Sequence, residues 1–146
     1  LPLIIDNYVA TGEVAYIFRN YPLPSHAQAM ISAEAAECGG LQGKFWEMHD
    51  KVFLNQSDWS GNDQALEVFL GYADELGLDT TAFGTCMSEH QTQQKILEDQ
   101  VFGQQIGVPA TPAFLVRGKG VEQPYPIVGA YPFEEFEKAI QTVSNQ

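Results

Sequence analysis

A change of hydrophobic period part-way along the chain is the feature that most restricts its fold. From Ser25 to Ile106 apolar residues recur at helical spacing, segment after segment. From Pro112 onward they fall into short runs divided by glycine and proline turns. Before the helical block stands one run, Glu13–Arg19, whose interior reads Val-Ala-Tyr-Ile-Phe with no polar alternation. Such a run suits a strand covered on both faces, as in a parallel sheet. A strand, a long helical crossover and a return to strands predict an α/β fold.

The segments within this frame are legible one by one. Pro2–Ala10 carries Ile4, Ile5, Tyr8 and Val9 on one helical face, with Gly12 placed to cap its end. Tyr21 to Pro24 is a loop. Ser25 is expected to cap a helix bearing Ala27, Ile31, Ala35 and Cys38, stopped by Gly39-Gly40. Phe45, Trp46, His49, Val52 and Phe53 mark the next helix, and Ser57–Asn62 reads as a loop. Leu66, Phe69, Leu70, Ala73 and Leu76 mark another, closed by Gly77. Asp79 caps a short helix through Phe83 and Cys86, and Glu89–Ile106 reads as a longer one. Pro112–Val116 is a strand, Gly118-Lys119-Gly120 a turn, and Tyr125–Val128 a second strand. Pro124 and Pro126 put that strand at a sheet edge. The last helix opens at Pro132, with Glu134 and Glu135 favourable to its dipole, and buries Phe136, Ile140 and Val143.

Composition narrows the partners. A length of 146 residues suits one domain with its own core. The net charge of −12, with seven basic residues scattered along the chain, argues against nucleic acid and against anionic membrane surfaces. No apolar run is long enough to span a bilayer. No signal peptide is visible, and the chain opens at Leu1 without an initiator methionine, so it reads as processed or trimmed. His49 beside Glu47 and Asp50 is the nearest thing to a metal motif. Adjacent helical residues diverge, so no metal site and no cofactor are expected, and His49 reads as a structural histidine. His26 and His90 stand isolated. Cys38 and Cys86 read either as two small buried thiols or as one disulfide.

Three stretches, in order, resemble a known family. Cys38-Gly-Gly-Leu-Gln-Gly-Lys-Phe-Trp-Glu-Met-His-Asp50 resembles the helical-insert signature of DsbA-like thioredoxin-fold thiol–disulfide oxidoreductases. Gly107-Val-Pro-Ala-Thr-Pro-Ala-Phe114 resembles their cis-proline loop, and Val128-Gly-Ala-Tyr-Pro-Phe-Glu-Glu-Phe136 the approach to their last helix. With Tyr8–Gly12 and Phe18–Leu23, the resemblance covers nearly the whole chain. One departure is Pro109-Ala110, where the family usually has a residue followed by glycine.

The resemblance implies a thioredoxin-like fold with an inserted helical domain. Residues 1–24 and 107–146 would form the core, and 25–106 the insert and return helix. It implies a cis Thr111–Pro112 bond, with Thr111 offering backbone groups to an extended protein substrate by strand addition. Pro112, lacking an N–H, cannot pair there itself. It implies thiol–disulfide exchange on exported proteins bearing thiols or disulfides, recycling by a redox partner, and an extracytoplasmic, bacterial setting. That oxidising context favours a Cys38–Cys86 disulfide over two thiols. The family's Cys-x-x-Cys is absent from these residues. It is expected upstream of Leu1, so the core would lack its N-terminal strand and the chain by itself would be inactive. Two other readings remain: a non-catalytic peptide-binding module of the same fold, and a kappa-type glutathione transferase or isomerase relative, against which the Gln42–Asp50 signature argues.

Overall fold

The computed structural model describes residues 1–144. It divides the chain into two compact units, Leu1–Phe18 with the chain from Gly103 onward, and Arg19–Phe102.

The Arg19–Phe102 unit is helical. It holds α2 (Ala29–Leu41), α3 (Phe45–Leu54), a short α4 (Gln56–Trp59), α5 (Ala65–Glu75), α6 (Thr80–Ser88) and most of α7 (Gln93–Gln105). Met48, Phe69, Phe83 and Cys38 are fully buried in its core. Trp59 Nε1 donates to the Val52 carbonyl at 2.9 Å, so even the largest ring leaves no buried donor without a partner. Cys38 on α2 and Cys86 on α6 form a disulfide with Cα atoms 5.9 Å apart.

Several boundaries differ from the sequence expectations. The first helix of this unit starts at Ala29, not at Ser25, and Gln28 at its N-cap makes no side-chain capping bond. It also runs through Gly39 and Gly40 to Leu41. A Cβ at Gly39 would lie 2.8 Å from Met48 Cβ, so this glycine is where α2 and α3 pack backbone-close. The chain turns instead at Gly43, with φ +77. The start of the expected Ser57–Asn62 loop is helical, within α4, and α7 begins only at Gln93. Asp79 does cap α6, its side chain accepting from the N–H groups of Thr81 and Ala82.

The other unit opens with α1 (Pro2–Ile4), which widens into a π-helical turn over Ile5–Val9. Gly12, at φ +80, closes it. β1 (Ala113–Val116) and β2 (Tyr125–Val128) pair antiparallel, with Phe114 opposite Ile127 and Val116 opposite Tyr125. These residues face α8 (Phe133–Ser144), where Phe114 meets Phe136 edge-to-face at 4.8 Å. Ile4 of α1 joins the same cluster, and Tyr8 donates to Glu137 Oε1 at 3.1 Å. The opposite sheet face carries Leu115 and Val128, both exposed.

Val14–Phe18, expected as a core strand, is not part of the sheet, which among the described residues consists of β1 and β2. The Val14 N–H bonds back to the Tyr8 carbonyl, and Ile17 is 73% exposed. An apolar run becomes a strand only beside a neighbour that completes its backbone hydrogen bonds.

Candidate functional site

The loop from Gly107 to Pro112 is built by the end of one element and the start of another. Past the end of α7, Gly107 adopts φ +73, which glycine does without strain. Its N–H donates to Gln104 O at 3.0 Å, and that of Val108 to Gly103 O at 2.9 Å. These bonds close the helix and turn the chain outward. At the far end the Pro112 carbonyl accepts from Gly129 N–H at 2.8 Å, fixing the loop to the head of the sheet. Pro109, Ala110, Thr111 and Pro112 between these anchors are all exposed. The Thr111–Pro112 peptide bond is cis.

Thr111 therefore sits on an anchored, solvent-facing backbone just before β1. Neither its N–H nor its C=O has a hydrogen-bond partner among the described residues. No titratable side chain lies in the loop, whose polar groups are its backbone and the Thr111 hydroxyl. Exposed Leu115 and Val128 supply apolar surface on the adjoining sheet face.

The remaining sequence candidates lie in the helical unit. Cys38 and Cys86 are 1% and 3% exposed and bonded to each other, so neither is a thiolate nucleophile in this state. His49 is buried and ringed by aromatic side chains, with Phe53 at 4.6 Å. Its Nδ1 lies 3.0 Å from Asp50 Oδ1, so these two neighbours do meet, whereas Glu47 turns to Lys44. Among the described residues no group of three His, Cys, Asp or Glu is placed to hold a metal ion.

Sequence reasoning missed a buried polar network in this unit. Asp99, Glu37, Glu34 and Asn20 are each less than a tenth exposed. Asp99 accepts from Arg19 Nη1 at 2.7 Å and from the Asn20 backbone N–H at 3.0 Å. Glu37 accepts from Asn20 Nδ2 at 2.6 Å and pairs with Lys95. Glu34 pairs with His90. The available signal was Ala33-Glu-Ala-Ala-Glu-Cys38, where carboxylates sit among small apolar residues of a buried helix. A charge in such a place needs a partner, and the partners come from far along the chain.

Comparison with known proteins places this geometry. Residues 3–142 match the family model described as Thioredoxin. Among solved structures, alpha-DsbA1 of Wolbachia pipientis superposes with a TM-score of 0.81 at 23% identity, covering 97% of this chain and 74% of that one. At that identity the likeness establishes the fold, a DsbA-like thioredoxin fold. Among curated relatives, the Na(+)/H(+) antiporter NhaA 1 of Salinispora arenicola is 36% identical over 107 residues, 73% of this chain and 16% of that protein. The Na(+)/H(+) antiporter NhaA 3 of Salinispora tropica is 33% identical over 127 residues, 86% of this chain and 19% of that protein. The chain thus spans less than a fifth of the length of either relative.

Proposed function

The chain belongs to the thioredoxin family, in its DsbA-like form, and from that premise we propose that it is the scaffold and substrate-binding part of a protein thiol–disulfide oxidoreductase. The observation that carries this reading is Thr111: an open N–H and C=O on an exposed loop anchored to both α7 and the sheet. An extended substrate segment pairs with these groups as an added strand, while Leu115 and Val128 receive its apolar side chains. Pro112 leaves the next position without a donor and so ends the pairing.

The exchange itself requires a thiolate. Attack on a substrate disulfide forms a mixed disulfide, which a second thiol resolves. In this proposal that dithiol is a Cys-x-x-Cys carried N-terminal to Leu1, with the central strand of the sheet leading into it. The bare edge of β1, which has no proline or charge in Ala-Phe-Leu-Val, suits that strand, whereas Pro126 blocks the edge of β2. Residues 1–24 and 107–146 then act as the catalytic core and 25–106 as its insert. Substrates are exported proteins in an extracytoplasmic compartment, a setting the Cys38–Cys86 disulfide favours. A separate redox partner resets the dithiol.

A titration of isotopically labelled protein with an unfolded, cysteine-blocked peptide tests the binding step. The Thr111 amide is expected to move first and furthest, followed by Ala113 and Val128. Shifts confined to other surfaces would remove Thr111 from the substrate site.

The antiporter names of the relatives favour a second reading, in which the chain is a non-catalytic binding module joined to a membrane transporter. Cell fractionation separates the two: recovery of this sequence within an antiporter-sized membrane polypeptide supports the second.

A further inference from the structure

The turn over Glu89–Thr92 joins α6 to α7 and lies directly on the Cys38–Cys86 disulfide. Gln91 N–H donates to the Cys86 carbonyl at 3.1 Å, and Thr92 Oγ1 sits 3.9 Å from Cys38 Sγ. The turn bends at His90, the one non-glycine residue with positive φ among those described, at 53°. Such a backbone is uncommon outside glycine and persists only where surrounding contacts hold it.

Beside the backbone bonds of the turn, a side-chain pair of unequal burial holds it. His90 Nδ1 lies 2.9 and 3.2 Å from the two oxygens of Glu34. The Glu34 side chain is 2% exposed and the His90 side chain 60%. His90 is the polar partner of that carboxylate among the described residues. Lifting the turn leaves a buried carboxylate without its donor, which is costly, so closure of the turn and pairing of Glu34 are coupled. Glu34 and Cys38 are four residues apart on α2 and therefore share a face. The turn, the pair and the disulfide form one small assembly.

We propose that this turn is a gate over the disulfide, latched by Glu34 and His90, and that its local opening admits a dithiol reductant while the helical unit stays folded. In the open state a thiolate of the dithiol attacks one sulfur of the Cys38–Cys86 bond and displaces the other as thiolate. The second thiol of the reductant then resolves the mixed disulfide, and the reductant leaves as its own disulfide. Two electrons pass to the cystine, and two protons end on Cys38 and Cys86. The Cys38–Cys86 pair is thereby a thiol-responsive modification site, separate from any dithiol that acts on substrate.

The experiment is native-state reduction by dithiothreitol at fixed pH, with thiols trapped and counted by mass spectrometry, in increasing low urea. His90→Asn keeps a residue tolerant of positive φ and removes the latch. Its reduction is expected to be about tenfold faster than wild type, since a hydrogen bond to a charged group is lost. Glu34→Gln, which keeps the shape and weakens the bond, should fall between. In all three the rate should depend only weakly on urea, as local opening exposes little surface. Equal rates in wild type and both variants would overturn the gate. So would a urea slope as steep as that of global unfolding, because the disulfide would then be reached only through the unfolded chain.

Discussion

Asp99 shows how much of the helical unit rests on single buried groups. It receives the chain as it comes in, through Arg19 and Asn20, while α7 carries the chain out, and Arg19 also stacks over Phe102 at 5.4 Å. Asp99→Ala strips the Asn20 N–H and Arg19 of their acceptor, and a loss of about 2–3 kcal/mol is expected in urea unfolding. The exposed side of Arg19 keeps the figure below that of a fully buried pair. Tyr72 gives a second test at this scale. Its hydroxyl is pushed up to about 12, first by burial and then by donating to Asp58 Oδ2 at 3.2 Å. The fold holds the neutral phenol while the unfolded chain ionises near 10, so this contribution to stability is whole below about pH 10. It fades as the pH climbs through 12. Ultraviolet titration should show a late phenolate that Tyr72→Phe removes; a Tyr72 that ionises with the exposed tyrosines would contradict this.

Two glycines in the helices make opposite predictions. Gly39→Ala places a Cβ 2.8 Å from Met48 Cβ and 3.2 Å from the Lys44 carbonyl, so α2 and α3 must part. A cost of about 1–3 kcal/mol is expected. Gly71→Ala on α5 meets nothing within 4 Å and should stabilise by about 0.5–1 kcal/mol. Thermal melts of the two variants check both signs. The same contrast explains what the sequence could show. Asp79 was readable as a cap because its acceptor and donors lie within three residues. The hairpin strands and α8 were readable because their periodicity is local. Gly39-Gly40 looks like a stop in sequence, and only the distant Met48 and Phe45 reveal it as a close-packing site. Val14–Phe18 failed as a strand for the converse reason: its composition is right, but a strand is defined by a neighbour. The cis bond before Pro112 is legible from the family motif, whereas the open backbone groups of Thr111 depend on the folded neighbours. Glu34 and His90, 56 residues apart, left no local trace of their pairing.

At the scale of the molecule, the chain divides into two compact units. One unit carries the sheet and the Thr111 loop, and the other is a helical body closed by Cys38–Cys86. That disulfide spans a sequence separation of 48 and contributes about 4 kcal/mol in the chain-entropy model. With the turn closed, both sulfurs are bonded to each other and buried. The described residues carry no free thiol of their own, and in the proposal the Thr111 loop receives an extended polypeptide. Insulin reduction in the presence of a dithiol tests this most directly, run on the chain as given and on the same chain extended by the upstream segment proposed to carry the Cys-x-x-Cys. The account predicts no turnover above background for the first and catalytic turnover for the second. Turnover by the chain alone, or an inert extended chain, would contradict it.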